Sequence, residues 1–201
     1  MRSLVLALAL TGLTLSATAQ TPEVFSPRDV FELERANDPR ISPDGSRVVY
    51  VRTGFDVVSD GSRTALWIIN ADGTGHRPIT DGTFGVSQPR WSPSGDRLAY
   101  VAAKDGRSQV FVRWMDTGDV AELTDLERGP SGLSWSPDGR QIALSMFVPE
   151  SNPGISAEMP SKPQGADWGP EWRFIDEMSY RRDGRPGFVE AGASQQFIIP
   201  A

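Results

Sequence analysis

Three segments of the 201-residue chain share one plan, and that plan leaves few folds open. They are Ile41-Ser42-Pro43-Asp44-Gly45-Ser46-Arg47, Trp91-Ser92-Pro93-Ser94-Gly95-Asp96-Arg97 and Trp135-Ser136-Pro137-Asp138-Gly139-Arg140-Gln141. Their prolines stand 50 and then 44 residues apart. Self-similarity at a period of about 40–50 residues marks repeat architectures. Within each copy Pro sets φ at the first central turn position, Asp or Ser bonds nearby backbone, and Gly takes a conformation other residues resist. A bulky apolar residue precedes each turn and a Val, Ile, Leu and Tyr-rich run follows it. Each copy therefore reads as a β-hairpin.

The strands around the turns make the repeat a four-stranded unit. In the first unit strands are expected near 39–42, 47–53, 65–70 and 76–80, with Gly54 to Arg63 as a solvated loop. In the second they fall at 90–92, 97–103, 109–115 and 120–124. Lys104-Asp105-Gly106-Arg107 and Asp116-Thr117-Gly118-Asp119 are its turns. The unit endings Pro78-Ile79-Thr80-Asp81 and Ala121-Glu122-Leu123-Thr124-Asp125 match. The third unit opens with strands at 132–136 and 141–148. A Pro, Gly and Ser-rich insertion then intervenes before a strand at 195–199, and no fourth strand follows. Four-stranded units at this period predict an all-β fold, a partial β-propeller of two blades plus an incomplete third. The blades run about 38–81, 82–125 and 130–201, the last interrupted by an insertion over 149–194. The first strand of each blade is expected to line the central channel, with Trp91 and Trp135 wedged between blades. Because a propeller needs about four to eight blades, the chain reads as the N-terminal part of a longer protein.

Ahead of the repeats, Met1-Arg2, the apolar run Leu4 to Leu15 and Ala17-Thr18-Ala19 form a secretory signal peptide over 1–19, with cleavage after Ala19. An apolar run of about 12 residues is short for a membrane span of about 20, so no stable anchor is expected after cleavage. The protein is expected to be secreted or periplasmic. Residues 20–37 form a lead-in in which Ser26-Pro27-Arg28-Asp29 starts a helix of about two turns, ended by Asp38-Pro39.

Chemistry-bearing residues are sparse. The formal charge of −6 offers no basic face for nucleic acid, and the absence of cysteine excludes disulfides and thiolate metal sites. Gly132-Leu133-Ser134-Trp135-Ser136 approaches a G-x-S-x-G nucleophile elbow but lacks the closing Gly and falls in a strand. The single histidine, His76, reads as a surface hairpin residue. In extended chain Asp176 and Glu177 would point to opposite faces, which disfavours paired-carboxylate catalysis. Asp44, Asp72 and Asp138 occupy turn positions that favour Asp on structural grounds. No catalytic residue, metal ligand or cofactor is expected in this chain, and the sequence assigns no binding residue.

Together, Asp38-Pro39-Arg40-Ile41-Ser42-Pro43-Asp44-Gly45, Leu66-Trp67, Ile79-Thr80, Arg90-Trp91-Ser92-Pro93 and Gln109-Val110-Phe111-Val112 resemble the N-terminal propeller of the prolyl oligopeptidase family of serine peptidases. The nearest branch is the bacterial acylaminoacyl-peptidase and dipeptidyl-peptidase-like one. Lys162-Pro163-Gln164-Gly165-Ala166-Asp167-Trp168, Tyr180-Arg181-Arg182-Asp183-Gly184 and Phe197-Ile198-Ile199-Pro200-Ala201 extend the resemblance over about residues 26–201. It implies a C-terminal α/β-hydrolase domain carrying the Ser-Asp-His triad, a propeller that restricts access to short peptides, and a peptide as partner through that domain. Some family members bind a substrate's free amine with propeller carboxylates, but no motif match gives that role to Asp176 or Glu177. The alternative is a Tol-system-like propeller, a non-catalytic protein-binding scaffold, which usually carries a separate α/β domain ahead of its blades. Here the blades begin within about 20 residues of Ala19. A sugar- or lipid-binding propeller finds no positive feature in the sequence.

Overall fold

Each repeat folds as an antiparallel sheet whose strands follow one another in space as in sequence. The computed structural model describes residues 25–82, 85–150, 162–167, 175, 178, 180–184 and 187–201. The expected signal peptide and half of the 149–194 insertion, including Asp176 and Glu177, lie outside the described residues. The first sheet is β1 (Arg35–Ile41), β2 (Arg47–Asp56), β3 (Gly61–Asn70) and β4 (Arg77–Pro78). The second is β5 (Val86–Trp91), β6 (Arg97–Lys104), β7 (Arg107–Trp114) and β8 (Val120–Glu122). In the third, β10 (Gln141–Pro149) lies between β9 (Ser131–Trp135) and β11 (Gly192–Pro200). This is the expected partial β-propeller, with two four-stranded blades and a third of three strands among the described residues.

The repeated turn closes in the same way three times. Gly45, Gly95 and Gly139 adopt φ of +73°, +74° and +69°, and their N–H groups donate to the carbonyls of Ser42, Ser92 and Ser136. Each serine hydroxyl also accepts from the first amide of the next strand: Arg47 to Ser42 at 2.9 Å, Arg97 to Ser92 at 3.0 Å and Gln141 to Ser136 at 3.0 Å. A carboxylate completes the turn, from Asp44 or Asp138 in the first and third copies. In the second, Asp and Ser exchange places, and Asp96 accepts from both Ser92 and Ser94. The exchange keeps one acceptor and its hydroxyl donors within the loop, so the turn survives the change in sequence.

Blade faces bury the core between them. The alternation of a strand splits β6: Leu98, Tyr100 and Ala102 pack with Val49, Val51, Leu66, Ile68 and Ile79 of the first blade. Ala99 and Val101, on the opposite face, pack with Leu133, Ile142 and Leu144 of the third. Residues beside the clusters, Trp91 in the first and Trp135 in the second, close the seams.

Several boundaries differ from the sequence expectation; β5, for instance, begins at Val86 rather than 90, and β11 spans Gly192–Pro200 rather than 195–199. Residues Pro27–Glu32 form one short 3₁₀ helix, in which the Asp29 carboxylate accepts from the Ser26 amide at 2.6 Å. Asp38-Pro39 ends no helix, because β1 already begins at Arg35 and the pair forms a bulge between Asn37 and Arg40. A bulge tolerates proline because the ladder there needs no N–H. The supposed loop from Gly54 to Arg63 is mostly strand: Phe55 pairs with Ser62 and Asp56 with Gly61. The Asp56 carboxylate binds the turn it closes, accepting from Ser59 at 2.8 Å and Arg63 at 2.6 Å.

Candidate functional site

The edge strands β1, β5 and β9 are the first of their blades, and they lie against one another as the inner wall of the propeller. Each carries a bulge at the same repeat position, and the residue there has positive φ: Asp38 (+47°), Gln88 (+55°) and Gly132 (+64°). Two of these are not glycine. Positive φ is unfavourable for residues with a side chain, and such positions persist only where surrounding contacts hold them. Bulges also re-aim side chains, and both side chains here are aimed at the next blade.

Asp38 receives two guanidinium groups. Arg40 Nη2 lies 2.5 Å from its Oδ1, and Arg90 Nη1, on the second blade, 2.8 Å from its Oδ2. The same Arg90 nitrogen donates to the Pro89 carbonyl at 2.7 Å. Gln88 makes the corresponding junction to the third blade through its amide: the Gly132 N–H donates to its Oε1 at 2.7 Å, and its Nε2 donates to the Pro130 carbonyl at 3.3 Å.

Above this row the turns clasp one another. The Trp91 indole N–H donates to the Arg40 carbonyl at 3.0 Å, and the Trp135 indole to the Arg90 carbonyl at 2.9 Å. Arg47 lies over the Trp91 ring, 5.1 Å from its centroid, and Arg97 over Trp135 at 4.9 Å. The same arginines reach the next blade's turn, Arg47 donating to the Gly95 carbonyl and Arg97 to the Gly139 carbonyl. A Cβ at Gly95 would come within 3.3 Å of the Pro43 ring, so the successive turns nearly touch. The third copy carries Gln141 where the first two carry arginine.

The outer face of the first blade bears a second cluster. Tyr50 and Trp67 are opposite one another on β2 and β3. His76, in the connection to β4, places Nε2 2.6 Å from the Tyr50 hydroxyl and its ring 4.9 Å from that of Trp67. Arg52 also lies over the Trp67 ring, 4.2 Å from its centroid, and pairs with Glu34. A depression of about 740 Å³ opens beside them, lined by Glu34, Arg52, Phe55, Arg63, Trp67 and Asp81 among others.

The candidate residues from the sequence are dispersed. Ser134 stands on β9 of the third blade and His76 on the first, so they share neither a hairpin nor a sheet. Asp44, Asp72 and Asp138 are committed to their own turns. The Ser42 and Ser46 hydroxyls hold the Asp44 carboxyl well below the usual carboxylate range; Thr74 lowers that of Asp72, and Ser136 with the Arg140 amide that of Asp138. Each pKa falls because the hydrogen bonds favour the charged form. Among the described residues no three His, Cys, Asp or Glu side chains converge as a metal site requires. Nor is any helix among them long and apolar enough to cross a membrane. Sequence reasoning missed the inner-wall contacts of Asp38, Gln88 and Arg90. Their signal was present in the equal offset of Asp38-Pro39 and Gln88-Pro89 from the two turns.

The comparisons with known proteins agree with this architecture. Over 172 residues, 85% of this chain, it is 30% identical to an uncharacterized peptidase, YuxL, of Bacillus subtilis, covering 25% of that protein. It is 31% identical over 133 residues, 65% of this chain, to dipeptidyl-peptidase 5 of Porphyromonas endodontalis, covering 19% of it. The chain thus spans about a quarter or less of the length of these relatives. The acylaminoacyl peptidase of Pyrococcus horikoshii superposes with a TM-score of 0.63 over 85% of this chain and 24% of its own, at 20% identity, and so shares the fold. Residues 44–154 match the TolB beta propeller domain family. The chain belongs to that propeller family, and its peptidase homologues are consistent with a propeller segment of a prolyl oligopeptidase-family enzyme.

Proposed function

We propose that this chain is the propeller part of an exported serine peptidase, and that the propeller admits short peptides to a catalytic α/β-hydrolase domain encoded beyond Ala201. The observation that carries this reading is the similarity to a peptidase along 85% of the chain, on a fold whose described residues bring no Ser, His and Asp together. The hydrolase domain would supply the serine nucleophile, the histidine base and the oxyanion hole for acyl transfer. The propeller supplies selection. Buried Leu, Ile and Val faces and the repeated arginine–tryptophan clasp join successive blades, an arrangement that favours a stiff wall. A stiff wall excludes by size what a flexible one would admit. The apolar run before Ala19 supports export.

A non-catalytic scaffold is the second reading, supported by the match to the TolB propeller family over residues 44–154. Hydrolysis by the full-length protein of a peptide series from about 4 to 60 residues separates the two. A gated peptidase cleaves the short members and loses at least about tenfold in kcat/KM along the series. A scaffold cleaves none, and an ungated peptidase shows no decline with length.

A further inference from the structure

We propose that Arg40 and Arg90, sharing the carboxylate of Asp38, form a subsite on the inner wall that binds the free C-terminal carboxylate of a short peptide. The peptide is taken from the proposed function, but the subsite itself rests on the wall's own geometry. Two guanidinium groups meet one carboxylate, so the cluster keeps one positive charge. Each guanidinium carries five N–H donors. The Asp38 contacts use Nη2 of Arg40 and Nη1 of Arg90, the latter also bound to the Pro89 carbonyl. The Arg40 side chain is 43% exposed, so a ligand can approach it.

The wall around the cluster has the same sign. β1, β5 and β9 together carry Arg35, Arg40 and Arg90 against Asp38, in a chain whose formal charge is −6. A local excess of positive charge in an acidic protein draws anions to that place. Guanidinium and carboxylate are matched in shape for paired, charge-assisted hydrogen bonds. The bulge does not itself require this arrangement. At the equivalent positions Gln88 and Gly132 make the same turn of the backbone with neutral groups, and the junction formed by Gln88 is complete without a charge. Only in the first blade is that residue an acid, at φ +47°, and it meets two arginines, Arg40 of the first blade and Arg90 of the second.

The two parts of the cluster can be changed in opposite directions. Asp38→Asn removes the competing negative charge while keeping an acceptor and a residue type tolerant of positive φ. Arg40→Ala removes the exposed guanidinium and leaves the pair between Asp38 and Arg90 in place. The test is calorimetric binding to the full-length protein, pretreated with a fluorophosphonate so that turnover adds no heat. The probes are N-acetyl-Ala-Ala with a free carboxylate, the same dipeptide as its amide, and N-acetyl-Glu-Ala amide. The free acid is expected to bind about fivefold more tightly than either amide, in keeping with partly exposed charge-assisted bonds. Arg40→Ala should bring that ratio to about one, and Asp38→Asn should raise it above wild type. A protein that merely loses its fold cannot give shifts of opposite sign. Equal binding of acid and amide, equal binding of the glutamyl amide, or an unchanged ratio in both variants overturns the proposal. Binding is read apart from cleavage, so absence of hydrolysis counts against the peptidase reading and not against the subsite.

Discussion

Trp135→Ala is expected to destabilise the full-length protein by about 3 kcal/mol, the range for removing a large aromatic from a packed interface. Three interactions go at once. The indole fills the seam beside Leu133, Ile142 and Leu144, its N–H satisfies the Arg90 carbonyl at 2.9 Å, and its face carries the Arg97 guanidinium 4.9 Å away. Trp135→Phe separates them. It keeps most of the packing and a ring for Arg97, and loses mainly the hydrogen bond, so its cost should be about 1 kcal/mol. The arginine's share is read from a double-mutant cycle of Arg97→Ala with Trp135→Ala, where coupling of about 1 kcal/mol is expected for a partly exposed cation over indole. Urea unfolding midpoints supply all four values. A cycle with no coupling would mean that Arg97 and Trp135 are neighbours without being partners.

The second large effect is expected at Leu98, which is fully buried on the β6 face turned toward the first blade. Leu98→Ala should cost about 3–4 kcal/mol, the lost burial plus the cavity left behind. β6 is held on both faces, so its neighbours cannot collapse into the space without disturbing Val49, Leu66 and Ile68 opposite. The substitution should lower the urea midpoint with little change in its slope, because the surface exposed on unfolding is nearly unchanged. A loss below about 1 kcal/mol would show that the first and second blades are not packed through this residue.

The same two residues show what the sequence made legible. Trp135 and Leu98 each stand at a fixed place relative to a Ser-Pro-x-Gly turn, and that turn is local chemistry, complete within about six residues. Its three copies gave the blades and their order. What depended on pairing was harder to see. Ser62 and Arg63 are polar and read as loop, yet they extend β3 because Phe55 and Gly54 lie opposite them in register. Asp38-Pro39 looks like a helix stop in one dimension and is a strand bulge in three. The inner-wall contacts span roughly one repeat, as Asp38 to Arg90 and Arg40 to Trp91 do. The equal offset of Asp38-Pro39 and Gln88-Pro89 from their turns marks the positions, but a single strand pattern does not name a partner one blade away. The grouping of Tyr50, Trp67 and His76 likewise needs the β2–β3 register before the histidine can be placed.

The proposed function requires these blades to serve a serine nucleophile lying elsewhere in the same polypeptide. Its most direct test is to treat the full-length protein with a fluorophosphonate probe and map the labelled residue by mass spectrometry. One modified serine should appear, within a G-x-S-x-G sequence C-terminal to Ala201, and peptide hydrolysis should fall in proportion to labelling. A protein that takes up no probe, or takes it up on a serine of the blades such as Ser134, would contradict the claim.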